Sequence, residues 1–222
     1  MRSVALVIFD CDGVLIDSEG VASAVVARSL SALGWAMTTD EAMARFVGMS
    51  IADMEPMIAA RLGRALPVGW RDGLAAALVA ALGEEARVVP GAPEALLAVR
   101  AMGLPWRVAS NSSDDEMAVK FRRTGLAGLV EGRCHSAASV IAQGGRAKPA
   151  PDVYLAAAAA EGVAPGACVV LEDSVVGVRA AVAAGMRVYG FAPHGDGAIL
   201  LDVGAAGVVR DLPGFVALLE GL

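Results

Sequence analysis

Basic clusters, histidines, paired cysteines and aromatics are all scarce in this chain, and each scarcity removes a class of function. Eighteen Lys and Arg stand against 24 Asp and Glu, for a net charge of −6. A nucleic-acid binder presents a concentrated basic face, so no nucleic-acid partner is expected. With two histidines in all, His135 and His194, a His-based zinc site or a Ser-His-Asp triad is poorly supplied. Both read as loop or surface residues. The three cysteines, Cys11, Cys134 and Cys168, contain no CxxC pair and sit in or beside apolar runs, which reads as buried free thiols in a reducing cytosol. Neither a Walker loop nor a dinucleotide glycine fingerprint is present. The apolar run from Val4 to Phe9 is cut by Asp10 before it reaches signal-peptide length, and no charge-free stretch is long enough to span a bilayer. A cytoplasmic protein without a membrane partner is expected.

What the chain has is small aliphatics: 56% of its 222 residues are hydrophobic but only 5% aromatic. A core of Ala, Val and Leu suits helices packed on a buried parallel sheet, whose strands read as continuous apolar runs. The length holds one generous domain, or a core carrying a smaller inserted one. Residues 4–9 read as a buried strand ending in Asp10-Cys11-Asp12-Gly13. Over 18–87 the pattern is helical only: 19–33, a helix opened by the Thr38–Glu41 capping box, a third capped by Ser50, and a fourth over 68–82. From 88 onward strand and helix alternate. Helices are expected near 93–103, 114–124, 152–161, 175–184 and from 214; strands over 106–110, 168–171, 188–191, 208–209 and, more weakly, 130–136. Such alternation implies a parallel sheet with helices on both faces, an α/β fold in three layers. Residues 1–17 and 88–222 would form the core, with 18–87 inserted as a helical subdomain.

In open α/β sheets, ligands bind beyond the carboxyl ends of the strands. Asp10 and Asp12 follow the first expected strand, Ser110 and Asn111 end the second, and Glu172 and Asp173 end the 168–171 strand; Lys148 precedes a helix start. Four carboxylates against one lysine at one point call for a divalent cation. Oxygen-only donors describe magnesium rather than zinc. A phosphate ester would complete the site. Asp10 can act as nucleophile, Asp12 as general acid and base, and Ser110 and Lys148 can hold the phosphoryl oxygens. An EF-hand register fails, because its first ligand position falls on Ile8. Cys11, between the two aspartates, should alternate away into the core.

Asp10-Cys-Asp12-Gly13-Val-Leu-Ile-Asp17-Ser18-Glu19, Val108-Ala-Ser110-Asn111-Ser112, Lys148-Pro-Ala-Pro-Asp152 and Leu171-Glu172-Asp173-Ser174 with Gly177 resemble, in order, the four motifs of haloacid dehalogenase-like phosphatases. The resemblance covers essentially the whole chain. It implies a Rossmann-like core, a helical cap over 18–87, and magnesium held by Asp10, the backbone carbonyl of Asp12 and Asp173, with Glu172 in or next to the coordination sphere. Ser110, Asn111 and Lys148 would meet the phosphate. Phe46, Gly48, Met49 and Ser50 of the cap loop would face a small phosphorylated metabolite.

Several reactions live on that fold. Asp12 argues against a dehalogenase, and the absence of lysine from 18–87 against a phosphonatase. The overall pattern resembles phosphatases of 6-phosphogluconate and phosphoglycolate. The competing resemblance is to β-phosphoglucomutase, from which the chain departs at Ala22, Val47 and Ile51, where that family carries a histidine and cations. Arg45 and Arg61 are left as anion contacts for a mutase. A non-catalytic phosphate-ester binder would be expected to lose Asp10 or Asp12, and both are present.

Overall fold

The computed structural model describes residues 4–222, so the first three residues of the expected segment 1–17 lie outside it. In chain order the elements are β1 (Leu6–Phe9), β2 (Ile16–Asp17), α1 (Glu19–Ala32), α2 (Thr39–Phe46), α3 (Ile51–Leu62), α4 (Trp70–Glu85) and β3 (Arg87–Val88). Then come α5 (Ala92–Ala101), β4 (Trp106–Ser110), α6 (Asp114–Arg123), α7 (Ala127–Val130), β5 (Cys134–Ser136), α8 (Ala137–Ala142) and α9 (Asp152–Ala160). The chain closes with β6 (Cys168–Glu172), α10 (Val175–Ala183), β7 (Arg187–Phe191), α11 (Ala198–Asp202), β8 (Val208–Val209) and α12 (Leu212–Glu220).

Six strands form one parallel sheet in the order β5-β4-β1-β6-β7-β8. Alternation along β1 divides the core. Val7 and Phe9 face a layer built on α5, α6 and α12 with Leu96, Phe121 and Phe215. Leu6 and Ile8 face α9 and α10, with Tyr154, Ala157 and Val178. Small side chains dominate the second layer, and this is where the chain spends its alanines. The result is the expected three-layer α/β architecture.

Helices α1–α4 enclose an apolar centre of their own, including Val26, Leu30, Phe46, Ile58, Leu74 and Leu78. Thr38 and Glu41 form the expected capping box, and the Ser50 side chain accepts the Asp53 backbone N–H. The insert is not purely helical at its edges. β2 and β3 pair antiparallel, Ile16 with Val88 and Asp17 with Arg87, so the chain leaves and re-enters the core side by side. The insert also leans on the core: Val119 of α6 packs against its apolar centre, and Arg123 Nε donates to Glu84 O at 2.8 Å.

Three expectations need correcting. The strand expected over 130–136 is only Cys134–Ser136, because 127–130 is a helical turn that buries Val130 and the chain then reverses at Gly132, with φ +68°. His135 therefore lies in edge strand β5, half-buried, with no hydrogen-bond partner for its Nε2 among the described residues. His194 is exposed, as expected. Cys134, on the same edge strand, is half-buried, while Cys11 and Cys168 are buried.

Candidate active site

β1 lies between β4 and β6, so Asp10, Ser110 and Glu172, at the carboxyl ends of these three strands, become neighbours. Asp10 N donates to Leu171 O at 3.0 Å, which continues the β1–β6 ladder into the site. The turn that follows needs Gly13. Its φ is +76°, and a Cβ there would sit 1.7 Å from Asp173 Oδ2. Gly177 does the same for Glu172, whose Oε2 would lie 1.8 Å from an added Cβ. Two glycines from distant motifs thus clear space for two carboxylates.

Lys148, 3% exposed, is the hub. Its Nζ donates to Asp10 Oδ1 at 2.5 Å, Glu172 Oε2 at 2.8 Å and Ala109 O at 3.0 Å. Glu172 is fully engaged: Oε2 also accepts Tyr154 Oη, and Oε1 accepts Ser174 N at 3.1 Å and Ser174 Oγ at 2.8 Å. Burial would raise the Glu172 pKa, but the Lys148 charge and these hydrogen bonds outweigh it and hold the group below its ordinary value. Asp10 goes the other way. Burial, followed by the Glu172 charge, pushes it up to about 8 against the pull of Lys148. Asp173, with no hydrogen-bond partner among the described residues, is raised well above its usual value by burial and then by Glu172 and Asp10.

Asp10, Glu172 and Asp173 each bring a carboxylate oxygen within 4.8 Å of the others. This donor set is all oxygen, and one lysine does not neutralise it, so it fits a hard divalent cation of the magnesium type. With both Glu172 oxygens already committed, Asp10 and Asp173 are the better placed donors.

The Asp12 carboxylate turns from this cluster towards α6. Oδ1 accepts Ser18 Oγ and, at 2.6 Å, Lys120 Nζ; Oδ2 accepts Ser112 Oγ at 2.8 Å and Ser110 Oγ at 3.2 Å. Lys120 is fully buried and also donates to Ser112 Oγ at 2.8 Å. Burial would raise Asp12, yet the Lys120 charge and the hydrogen bonds from Lys120, Ser18 and Ser112 bring it below its ordinary value. The sequence reading gave Lys120 no role. A signal was present: Lys120 stands four residues after Glu116 and three after Met117, both buried, so it falls on the inward face of α6.

Asn111, expected at the phosphate, bonds in this structure to the backbone on either side of the site. Its Nδ2 donates to Gly48 O at 2.8 Å and Lys148 O at 3.2 Å, and its Oδ1 accepts Lys148 N at 2.9 Å. It ties the Lys148 loop to strand β4 and pins the insert over the site. Ser110, 1% exposed, supports Asp12 and accepts Ser112 N at 3.0 Å. Phe46, Gly48, Met49 and Ser50 do line a cavity of about 270 Å³ above Asp10. Of these, Ser50 is spent as the α3 cap and Phe46 packs edge-on to Trp35.

This geometry is that of a known family. A family model described as haloacid dehalogenase-like hydrolase matches residues 4–185, and the chain belongs to that family. Among curated relatives, 6-phosphogluconate phosphatase of Escherichia coli K12 is 28% identical over 197 residues, covering 87% of this chain and 86% of the relative. Among solved structures, a conserved haloacid dehalogenase-like protein of unknown function from Agrobacterium tumefaciens is 32% identical with a TM-score of 0.80 and 99% coverage of both chains. A family hydrolase from Deinococcus radiodurans, solved with bound phosphate and sodium, is 33% identical with a TM-score of 0.75, covering 99% of this chain and 97% of that one. With a phosphatase as full-length relative, the chain stands among the phosphoric monoester hydrolases of the family. None of the described helices is long and apolar enough to cross a membrane.

Proposed function

We propose that the protein is a magnesium-dependent phosphatase that cleaves a small phosphomonoester through a phosphoaspartate on Asp10. The observation that carries this reading is the convergence of Asp10, Lys148, Glu172 and Asp173 beneath a cavity closed by the insert. Asp10, Asp173 and the backbone carbonyl of Asp12 would hold magnesium, which when bound would supply positive charge to offset that of the carboxylates and the phosphate. Asp10 attacks phosphorus, and the bond from phosphorus to the leaving oxygen breaks. Lys148 steadies Asp10 and the transferring oxygens. Asp12 gives a proton to the leaving oxygen. It then takes one from the water that attacks the phosphoaspartate, which releases inorganic phosphate and restores Asp10. The hold of Lys120 keeps Asp12 ionised, the form suited to the second step; the first step needs its carboxyl protonated and turned towards the cavity. Residues 18–87 act as a cap, moving on the paired strands β2 and β3 and sliding α4 over α6.

The test is phosphate release from p-nitrophenyl phosphate and small phosphate esters, with and without magnesium. Asp10→Asn is expected to lose at least about a thousandfold in kcat. Equal release from the variant, or release indifferent to a chelator, sinks the reading. The mutase alternative finds no support in the cap. The guanidinium groups of Arg45 and Arg61 lie over the Trp35 ring, 5.3 and 5.4 Å from its centroid, and line no part of the cavity.

A further inference from the structure

Resting on the phosphatase reading, we infer that the site selects phosphate esters whose leaving alcohol is uncharged, and rejects those bearing a second anionic group. The inference comes from what faces the leaving group. Above Asp10 the insert's share of the cavity wall is mostly apolar, with Ala22, Val26, Val47, Met49, Ile51 and Leu78, and its uncharged polar residues include Ser23 and Ser50. Among the described residues lining the cavity, Lys148 carries the one cationic side chain, and its Nζ is already shared among Asp10, Glu172 and Ala109 O. The other ionisable residues on the outer wall, Glu19 and Glu116, are acidic. Arg45 and Arg61 are held on Trp35.

A carboxylate or second phosphate on the leaving group would exchange water for apolar carbon and negative charge, with no cation to meet it. A neutral polyol or alcohol meets no such penalty. Its hydroxyls have an acceptor in Glu19, while Glu116 is occupied by the Ser113 backbone N–H and hydroxyl, and its carbon frame packs on the wall. The size of the cavity, about 270 Å³, restricts the alcohol to a small one. This preference differs from the substrate in the name of the Escherichia coli relative, whose leaving group carries a carboxylate.

Two matched pairs test it, each of the same carbon chain: glucitol 6-phosphate against 6-phosphogluconate, and 2-hydroxyethyl phosphate against phosphoglycolate. In magnesium, kcat/KM should favour the neutral member of each pair by about tenfold or more. Placing a cation in the wall, by Val47→Lys or separately by Ile51→Lys, should narrow or reverse the ratio. Both positions are half-buried at helix ends, and circular dichroism checks that each variant folds. Equal or better hydrolysis of the acids by the unaltered enzyme overturns the inference, as does a ratio that neither folded lysine variant moves. Release from p-nitrophenyl phosphate that vanishes in Asp10→Asn keeps the phosphatase reading alive in either case. If no ester is hydrolysed at all, the reading and the inference fall together.

Discussion

The floor and the roof of the cavity are built on opposite principles. On the floor, at the ends of β1, β4 and β6, the charged groups other than Asp173 are held by partners: Lys148 with Asp10 and Glu172, Lys120 with Asp12, and Tyr154 and Ser174 with Glu172. The roof, made by α1–α4 and the loop before α3, presents mostly carbon, with Glu19, Ser23 and Ser50 as its polar residues and, among the described residues, no cation. Chemistry that moves a phosphoryl group needs fixed charges in fixed places, and a rigid parallel sheet supplies them. Choosing among alcohols needs a surface that can change without disturbing those charges, and an insert joined by one short ribbon provides it.

If that division holds, damage to the floor should abolish the reaction, while damage to the roof should alter choice or stability. The largest effect is expected for Lys148→Met. Removing the cation leaves Asp10 and Glu172 buried and facing each other, which should cost about 3–5 kcal/mol in chemical denaturation and lower kcat by about a hundredfold or more. A variant of unchanged stability and activity would remove Lys148 from the centre of the account.

Next comes the dependence on pH and metal. Asp10 is raised from 3.8 to about 8, so between those values the folded chain holds a proton that the unfolded chain has released, and stability must fall as pH rises through that window. Asp173 is raised too and adds in the same sense. Glu172, depressed, is ionised in both states above its ordinary value and adds no slope there. Melting temperatures in chelator should therefore fall between pH 5 and pH 8. Added magnesium should raise them more at pH 8 than at pH 5, and an equal rise at both would argue against a cation among these carboxylates.

A smaller and more selective effect is expected from Lys120→Met. Without its cation, Asp12 loses its hold, and proton delivery should suffer most where the leaving oxygen needs it most. An alkyl phosphate should lose about tenfold more in kcat than p-nitrophenyl phosphate does. Equal losses on both would reduce Lys120 to a structural lysine. The smallest effect belongs to the roof. Thr38→Ala removes half of the α2 capping box, away from the cavity, and should cost about 1 kcal/mol in stability with kcat unchanged.

Much of the floor could be read from the chain because each of its residues is tied to a local signal. An apolar run stops at Asp10, another at Ser110 and another at Glu172, and a polar residue at a strand end in an α/β alternation has one place to go. For Lys120 the signal was weaker, its spacing from Glu116 and Met117 alone, and one lysine within the charged run of α6 looks solvated until the face it shares with Met117 and Phe121 is known to be inward. For Asn111 the chain gave the place, at the end of β4, but not the partners it has in the structure. Which atoms its amide meets depends on Gly48, 63 residues away, and local pattern carries no such distance. The ribbon of β2 and β3 escaped for the same reason. Two residues per strand have no periodicity, and the pairing exists only because the insert's two ends meet.

Sequence alone determined the alternation of strand and helix, the run of helices after the first strand, and the order in which the carboxylates and the serine arrive at the strand ends and the lysine before a helix. These follow from periodicity, caps and turns, which act over a few residues. Tertiary structure decided which cations meet which carboxylates, that Lys120 rather than solvent faces Asp12, that Arg45 and Arg61 turn to Trp35, and that the cavity roof is left without positive charge. Those are relations between residues brought together by packing, where distance and burial set the strength of every charge.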